Sequence, residues 1–208
     1  MSNKWLILDA MGVIFTVGHD LYELLIPFVW CKNKDISDQL MIDTYLEASK
    51  GLIPSSELWA KIGFGDQYPE IEKEYLDTQL KIDKEFLELA PRFKDDYSLA
   101  LLSNDVKEWS NYLREKFGLN EIFDEIIVSG DVGLRKPNKK IYTLLLDRLN
   151  ISPEKCVFVD DKLRNLQPAS ELGIRTIRFV REKEKIPFCS EFEVRSFQEL
   201  KSVLENFY

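Results

Sequence analysis

The stretch "KWLILDAMGVIF", residues 4–15, decides the fold of this chain. Residues 5–8 form a continuous apolar run that lacks the polar alternation of a half-exposed strand. Such a run predicts a strand that is buried on both faces of a parallel sheet. The carboxylate of Asp9 follows directly, at the point where the predicted strand ends. The stretch therefore predicts a core strand that carries a carboxylate to the edge of its sheet.

Further units of the same kind begin near residue 98, and each is an apolar run followed by a polar break and a helical pattern. Apolar runs that alternate with helices indicate a parallel sheet covered on both faces. We therefore predict an α/β fold with a Rossmann-like parallel sheet core. The predicted strands span residues 98–103, 125–129, 155–159 and 173–179, and the predicted helices span 105–117, 137–149 and 163–172.

Residues 16–84 interrupt this alternation, because their apolar side chains recur at helical spacing without a convincing strand pattern. We predict that they form an inserted helical domain, and that residues 1–15 and 85–208 form the α/β core. Aromatic side chains at helical spacing in the insert are expected to pack in its own core, and the alternative is that they line a ligand pocket. They include Trp30, Tyr45 and Trp59.

The composition excludes a disordered chain, since 45% of the 208 residues are hydrophobic and 12% are aromatic. The formal net charge of −8 leaves no global basic surface, so neither nucleic acid nor an anionic membrane is expected as a partner. A small anionic substrate stays compatible if a local basic patch or a bound cation offsets this charge. No apolar run reaches the roughly 20 residues of a membrane span. We expect a cytoplasmic protein, and no pattern indicates its oligomeric state.

The cysteines are Cys31, Cys156 and Cys189, an odd number without CxxC spacing. This pattern predicts neither a disulfide framework nor a zinc site. It is typical of free thiols in a reducing compartment.

Polar residues follow the predicted strands at the edge where ligands bind in open parallel sheets, beyond the carboxyl ends of the strands. Taken singly, each of these residues is ordinary for a turn or a helix start. Together, in chain order at successive strand ends, they favour a functional site. They are Asp9, the run Ser103-Asn104-Asp105, the pair Asp160-Asp161, and Lys136 before a helix predicted to start at Pro137.

Carboxylates gathered at these strand ends imply a compensating cation. A like-charge pair about 4 Å apart costs on the order of 4 kcal/mol at an effective dielectric constant of 20. Oxygen ligands without histidine or cysteine suit a hard ion, and Mg²⁺ accepts carboxylates together with water and a substrate phosphate. We therefore predict a Mg²⁺ site, with Lys136 as a second compensating charge.

On these residues the sequence resembles the haloacid dehalogenase-like hydrolase superfamily, in the subfamily with a helical cap between the first and second motifs. The resemblance covers about residues 1–15 and 85–208, implies the α/β core, and identifies residues 16–84 as the cap. Within the cap, "KGLIPSSELW" resembles a loop and helix common in such domains. The matching motifs are "LILDAMGVIF", "ALLSND", "VGLRKPNKKIY" and "VFVDDKLRNLQPASELGI".

The resemblance also implies roles for individual residues. Asp9 would attack an electrophilic centre and form an aspartyl ester intermediate. Ser103 and the backbone of Asn104 would bind the transferring group, and Lys136 would neutralise charge on Asp9 and on that group. The implied Mg²⁺ ligands are Asp9, Asp160, Asp161 and the main-chain carbonyl of Met11.

This sequence has Met11 at a position, two residues after the nucleophile, where the family phosphatases carry a second aspartate. That aspartate protonates the leaving oxygen, and general acid–base catalysis is typically worth roughly 10²–10⁴ in rate. One alternative is that another group moves the proton. His19 is the first candidate because its ordinary pKa suits this chemistry, and its neighbour Asp20 is a second candidate.

Three further alternatives stay open. Family dehalogenases expel halide and need no acid, but they use no metal and usually lack an acidic pair such as Asp160-Asp161. Phosphonate-cleaving relatives form an imine with a cap lysine, for which Lys50 is the formal candidate. The non-enzymatic alternative is that the protein binds a phosphorylated ligand without efficient turnover. The sequence favours a Mg²⁺-dependent hydrolase of a small phosphorylated metabolite.

Overall fold

The computed structural model describes residues 4–181 and 192–205. A sheet of six parallel strands lies at its centre, in the order β3-β2-β1-β4-β5-β6. This arrangement confirms the predicted α/β fold with a Rossmann-like core. The strands are β1 (Trp5–Leu8), β2 (Ser98–Ser103), β3 (Glu125–Val128), β4 (Cys156–Asp160), β5 (Arg175–Phe179) and β6 (Phe192–Val194).

Helices cover the sheet and fill the chain between β1 and β2. A π-helix, Asp20–Leu25, precedes the first α-helix, and short 3₁₀ helices span Gly65–Gln67 and Pro153–Lys155. The α-helices are α1 (Ile26–Lys32), α2 (Asp38–Ala48), α3 (Ser55–Lys61), α4 (Glu70–Gln79), α5 (Lys84–Asp96), α6 (Lys107–Lys116), α7 (Leu119–Ile122), α8 (Ser129–Val132), α9 (Lys139–Leu149), α10 (Leu163–Ser170) and α11 (Phe197–Glu205).

Alternate residues of the strands enter two separate hydrophobic clusters, one on each face of the sheet. In β1, Leu6 and Leu8 join the cluster that includes α5, α6 and α11, whereas Ile7 joins the one that includes α9 and α10. All three side chains have no exposed surface. Because β1 is buried on both faces of the sheet, its sequence is a continuous apolar run.

The register of β1 against β4 places the site at the middle of the sheet. Leu8 pairs with Val159, so the next residues along the two strands are Asp9 and Asp160. The backbone N–H of Asp9 donates to the carbonyl of Val159 at 2.9 Å, which continues the pairing by one residue. Two carboxylates therefore lie side by side where the two central strands end.

The helical insert contacts the core through a buried carboxylate between two tryptophans. Glu72 of α4 accepts hydrogen bonds from the indole N–H of Trp59 in α3, at 2.9 Å, and of Trp109 in α6, at 2.7 Å. The Tyr75 ring packs 5.1 Å from the Trp109 ring. One core side chain, Trp109, thus shares an aromatic cluster and an acceptor with the insert.

We expect Glu72→Leu to destabilise the protein strongly, because both indole N–H groups would lose their acceptor. Each unsatisfied buried donor costs about 1–3 kcal/mol, so the loss of the acceptor for two donors should lower the free energy of unfolding by about 2–6 kcal/mol in urea titrations. Burial raises the pKa of Glu72 above its ordinary value of 4.5. The folded state therefore binds this proton more tightly than the unfolded state.

Because the folded state binds the Glu72 proton more tightly than the unfolded state, the contribution of Glu72 to stability depends on pH. Stability from Glu72 is fully present below pH 4.5 and is lost as the pH rises through the folded pKa. The stability of wild type relative to Glu72→Gln, measured in urea at a series of pH values, should therefore decline with rising pH. A difference that stays flat with pH would contradict this account.

The aromatic residues of the insert do not share one environment. Trp59 is fully buried, as expected for an insert core. Trp30 differs from the expectation, since it is 40% exposed and its indole N–H donates to the carbonyl of Ile36 at 3.1 Å. Its place near the end of the short helix α1 leaves one side of the ring in solvent.

Two of the cysteines lie in the described residues, and both are free thiols: Cys31 is exposed and Cys156 is buried. Cys189 lies outside the described residues. Within residues 4–181 and 192–205, no helix has both the length and the apolar character that a bilayer span requires.

Candidate active site

A buried lysine joins the two carboxylates at the ends of β1 and β4. The Lys136 ammonium lies 2.7 Å from Asp9 Oδ1 and 2.7 Å from Asp160 Oδ2. Its side chain has no exposed surface. Although burial disfavours the ammonium, Asp160 and Asp9 hold the pKa of Lys136 above its ordinary value. The structure thus brings together three residues that lie far apart in the sequence.

Asp160 is fixed by contacts that sequence reasoning missed. The amide of Asn165 donates to both Asp160 oxygens at 3.0 Å, and the backbone N–H of Lys162 donates to Oδ1 at 2.8 Å. Asn165 lies in the first turn of α10, inside the fourth motif. The available signal was its position within that motif, five residues after Asp160.

Asp161 completes a cluster of three carboxylates. Oxygen atoms of Asp9, Asp160 and Asp161 all lie within 4.8 Å of one another. The Oδ1 atom of Asp161 is buried and has no hydrogen-bond partner. The Asp161 carboxylate packs closely against the backbone of Gly12 and Gly18. A Cβ at either glycine would lie only 2.5 Å from Asp161 Oδ2, so a larger residue would clash with this carboxylate.

The electrostatics of the cluster show a shortage of positive charge. Burial raises the pKa of Asp9 and of Asp161 well above the ordinary 3.8. The charge of Asp160 adds to both rises, while Lys136 and Lys162 oppose them. One buried ammonium therefore does not balance three carboxylates. An all-oxygen set with an orphaned carboxylate oxygen suits a hard divalent cation, so these residues fit Mg²⁺.

Asp105, two residues beyond the end of β2, does not join this cluster. Its Oδ1 atom accepts the backbone N–H of Val106 at 2.7 Å. Burial, followed by the charge of Asp20, raises the pKa of Asp105 well above its ordinary value. The turn after β2 holds this carboxylate at the backbone of Val106, and it is not one of the three clustered carboxylates.

The residues after β2 lie beside the lysine. The Ser103 hydroxyl is buried and has no hydrogen-bond partner, so it can bind a ligand oxygen. The Asn104 side chain clamps the backbone of Lys136, donating to its carbonyl at 2.9 Å and accepting its N–H at 2.8 Å. These two hydrogen bonds fix the Asn104 side chain against the backbone of Lys136.

A cavity of about 300 Å³ opens beside Asp9. Met11 and His19 line it, together with Asn104 and Lys136. Sequence reasoning missed several of the other lining residues, because they come from separate parts of the chain. These are Arg135, Lys162, Arg164 and Asn165, whereas Asp20 and Tyr45, which also line the cavity, were already candidates from the sequence.

The two acid–base candidates differ in their surroundings. His19 is exposed, precedes the π-helix and packs edge-on against Tyr22, with ring centroids 6.4 Å apart. Asp20 is buried, and its Oδ2 accepts a hydrogen bond from the Tyr45 hydroxyl at 2.7 Å. Tyr45 itself lines the cavity and also packs within the insert.

Lys50 lies elsewhere. It is exposed and borders a separate depression formed with residues 133–138, and it is absent from the lining of the cavity beside Asp9.

Comparisons with known proteins identify the family of this chain and similar folds. The family model for the haloacid dehalogenase-like hydrolases matches residues 7–173. A glyceraldehyde 3-phosphate phosphatase from Methanocaldococcus jannaschii is 31% identical over 105 residues, which is 49% of this chain and 45% of that protein. Bifunctional epoxide hydrolase 2 from Mus musculus is 42% identical over 74 residues, which is 33% of this chain and 13% of that protein. The chain thus spans less than half the length of these curated relatives.

Solved structures share the fold. A HAD family enzyme from Bacteroides thetaiotaomicron, in complex with magnesium and inorganic phosphate, superposes with a TM-score of 0.73 at 22% identity. The match covers 88% of this chain and 96% of that one. A 2-haloacid dehalogenase from Pseudomonas syringae superposes with a TM-score of 0.70 at 15% identity, over 100% of both chains.

Proposed function

This chain belongs to the haloacid dehalogenase-like hydrolases, and we propose that it is a Mg²⁺-dependent hydrolase of small phosphorylated metabolites. The observation that carries the proposal is the carboxylate cluster, in which Lys136 joins Asp9 to Asp160 and a buried Asp161 oxygen has no partner. The phosphatase names of relatives, and magnesium with phosphate in a similar structure, support it.

In this proposal Asp9 is the nucleophile. Its Oδ1 atom already accepts the Ala10 N–H at 2.7 Å and contacts Lys136. Among the described residues no hydrogen bond reaches Oδ2, which leaves that oxygen to attack phosphorus. The new Oδ2–P bond forms as the bond from phosphorus to the leaving ester oxygen breaks, and water later hydrolyses the aspartyl phosphate.

Neighbouring groups hold the transferring phosphoryl group. The unpartnered Ser103 hydroxyl donates to a phosphoryl oxygen, and Lys136 offsets charge on the phosphoryl group and on Asp9. Asp9, Asp160, Asp161 and the main-chain carbonyl of Met11 would hold Mg²⁺. When bound, this ion supplies positive charge that stabilises the transferring phosphoryl oxygens.

The leaving oxygen needs a proton that Met11 cannot supply. We propose His19 as the group that supplies it, because it lines the cavity beside Asp9, and we keep Asp20 as the second candidate. His19→Asn should then lower kcat by about 10²-fold or more for alkyl phosphates. It should have little effect on p-nitrophenyl phosphate, whose leaving group needs no proton.

Asp20→Asn, assayed on the same two substrates, is the matched comparison. Alkyl phosphate turnover that is unchanged in His19→Asn and lost in Asp20→Asn would transfer the role to Asp20. Equal turnover in both variants and wild type would eliminate both residues.

A panel of phosphate esters, assayed for phosphate release with and without Mg²⁺, tests the proposed function. Release that requires Mg²⁺ supports it. Halide release from 2-haloacids without metal would favour dehalogenase chemistry instead. Thermal stabilisation by esters without turnover would favour a binding protein. Phosphonate cleavage through Lys50 has no geometric support, because Lys50 does not line the cavity that contains Asp9.

We also propose a cytoplasmic location, which the unpaired thiols support. A small anionic substrate is the proposed partner, and the net charge of −8 argues against nucleic acid.

A further inference from the structure

The cavity is basic although the chain is acidic. Four basic side chains line it, Arg135, Lys136, Lys162 and Arg164, against the two acidic ones of Asp9 and Asp20. The formal net charge of the whole chain is −8. Lys136 is already shared between Asp9 and Asp160. Among the described residues, Arg135 and Arg164 form no ion pair with the three clustered carboxylates.

Arg135 is held in place without a carboxylate partner. Its guanidinium carbon lies 5.7 Å from the centre of the Tyr45 ring, and one of its nitrogens donates to the Ser49 hydroxyl oxygen. Both partners are buried and belong to α2 or its C-terminal cap. Within residues 4–181 and 192–205, no carboxylate oxygen lies within 4.0 Å of Arg135, so most of its donors are left for a ligand.

The other two basic residues are less suited to bind a substrate group. The Lys162 ammonium donates to the Gly18 carbonyl at 2.6 Å, and its charge acts on Asp9 and Asp161. Arg164 is exposed, and no contact is seen that would fix its side chain among the described residues. The charge of Arg135 acts on the buried Asp105, but its guanidinium combines a fixed position, no carboxylate within 4.0 Å among the described residues, and a place on the cavity wall.

We propose that Arg135 binds a carboxylate of the substrate, so that the preferred substrates are small phosphate monoesters that also carry a carboxylate. The planar guanidinium matches a carboxylate with paired hydrogen bonds, which a hydroxyl or an aldehyde cannot reproduce. A cavity of about 300 Å³ has room for a small substrate of this kind. This inference rests on the proposed function and specifies its substrate class.

The test compares 3-phosphoglycerate with glycerol 3-phosphate, which differ by a carboxylate in place of a hydroxymethyl group. Wild type should prefer 3-phosphoglycerate by at least about tenfold in kcat/KM, since a hydrogen bond to a charged group is worth that much. Arg135→Gln should reduce this ratio toward one, mainly by raising KM for 3-phosphoglycerate. Arg135→Lys should retain part of the ratio.

Arg148→Gln is the matched control, because Arg148 pairs with Glu125 at 3.1 Å and does not line the cavity. It removes the same charge and should keep the ratio of wild type. A ratio near one in wild type, or a ratio that Arg135→Gln preserves, would overturn the assignment.

A binding measurement separates this inference from the proposed function. If no ester is hydrolysed, the proposed function fails, and thermal stabilisation by the same two esters still tests Arg135. Greater stabilisation of wild type by 3-phosphoglycerate, lost in Arg135→Gln, would support the carboxylate site. Equal stabilisation by both esters would overturn it.

Discussion

Asp9→Asn is expected to abolish Mg²⁺-dependent phosphate release from every ester that the wild type hydrolyses. An amide oxygen cannot form the aspartyl phosphate, and removal of a covalent nucleophile costs at least about 10³-fold in kcat. The substitution keeps the size and shape of the side chain. Lys136 also retains Asp160 as a partner at 2.7 Å. Activity should therefore disappear from a protein that stays folded.

Two measurements separate a lost nucleophile from a lost fold. The circular dichroism spectrum of Asp9→Asn should match that of wild type and its thermal unfolding should stay cooperative, while phosphate release falls to background. Asp131→Asn is the matched control, because this exposed carboxylate pairs with Lys107 at 3.3 Å and lies outside the cavity. It should retain full activity. Substantial turnover in Asp9→Asn would remove Asp9 from the proposed chemistry.

The strands that could be predicted from the sequence are those whose side chains are buried on both faces of the sheet. β2 spans the predicted residues 98–103. Its short, continuous apolar run indicates a buried strand. β6 was not predicted, since this three-residue edge strand carries an exposed glutamate, Glu193, at its middle. The helix α11 was also missed, although its buried residues Phe197, Leu200 and Leu204 recur at helical spacing.

The carboxylates and the lysine of the site were predictable for a related reason. Polar residues that end buried strands must converge at one edge of a parallel sheet, which is where Asp9, Asp160 and Lys136 meet. Asp105 has the same sequence signal and lies elsewhere, because the turn after β2 decides its direction.

The rest of the cavity was not predictable, because it depends on how the insert packs against the core. Arg135 meets Tyr45 only when α2 lies against the loop before α9, about 90 residues away in the chain. Glu72 lies in a charged stretch, "EIEKEY", in which no local pattern marks it as the buried acceptor of two indoles. Such contacts between distant segments leave no periodic trace in the sequence.

Lys136→Met should cause the largest loss of stability of any substitution at this site. It removes an ammonium that has no exposed surface and contacts two carboxylates at 2.7 Å. Removing one member of a buried ion pair costs about 3–5 kcal/mol, because the remaining charges stay buried without compensation. Urea titrations without metal should show this loss at neutral pH. Turnover should also fall, by about 10²-fold or more, as phosphoryl stabilisation is lost.

The destabilisation should shrink under two conditions, each of which relieves the same repulsion. Burial already raises the pKa of Asp9, and removing the ammonium raises it further. Protonation then favours the folded state, so the loss of stability should be smaller at low pH and grow as the pH rises through the folded pKa. Added Mg²⁺ should stabilise Lys136→Met more than wild type, because the ion replaces the missing charge.

Lys139→Met is the control for this prediction. Lys139 is exposed and pairs with Glu171 at 2.7 Å on the surface, where ion pairs contribute little to stability. Its removal should leave the urea midpoint nearly unchanged at every pH and Mg²⁺ concentration. If Lys136→Met behaved in the same way, the three carboxylates would not form a charged cluster in solution. A Mg²⁺ site at the ends of β1 and β4 would then lose its electrostatic basis.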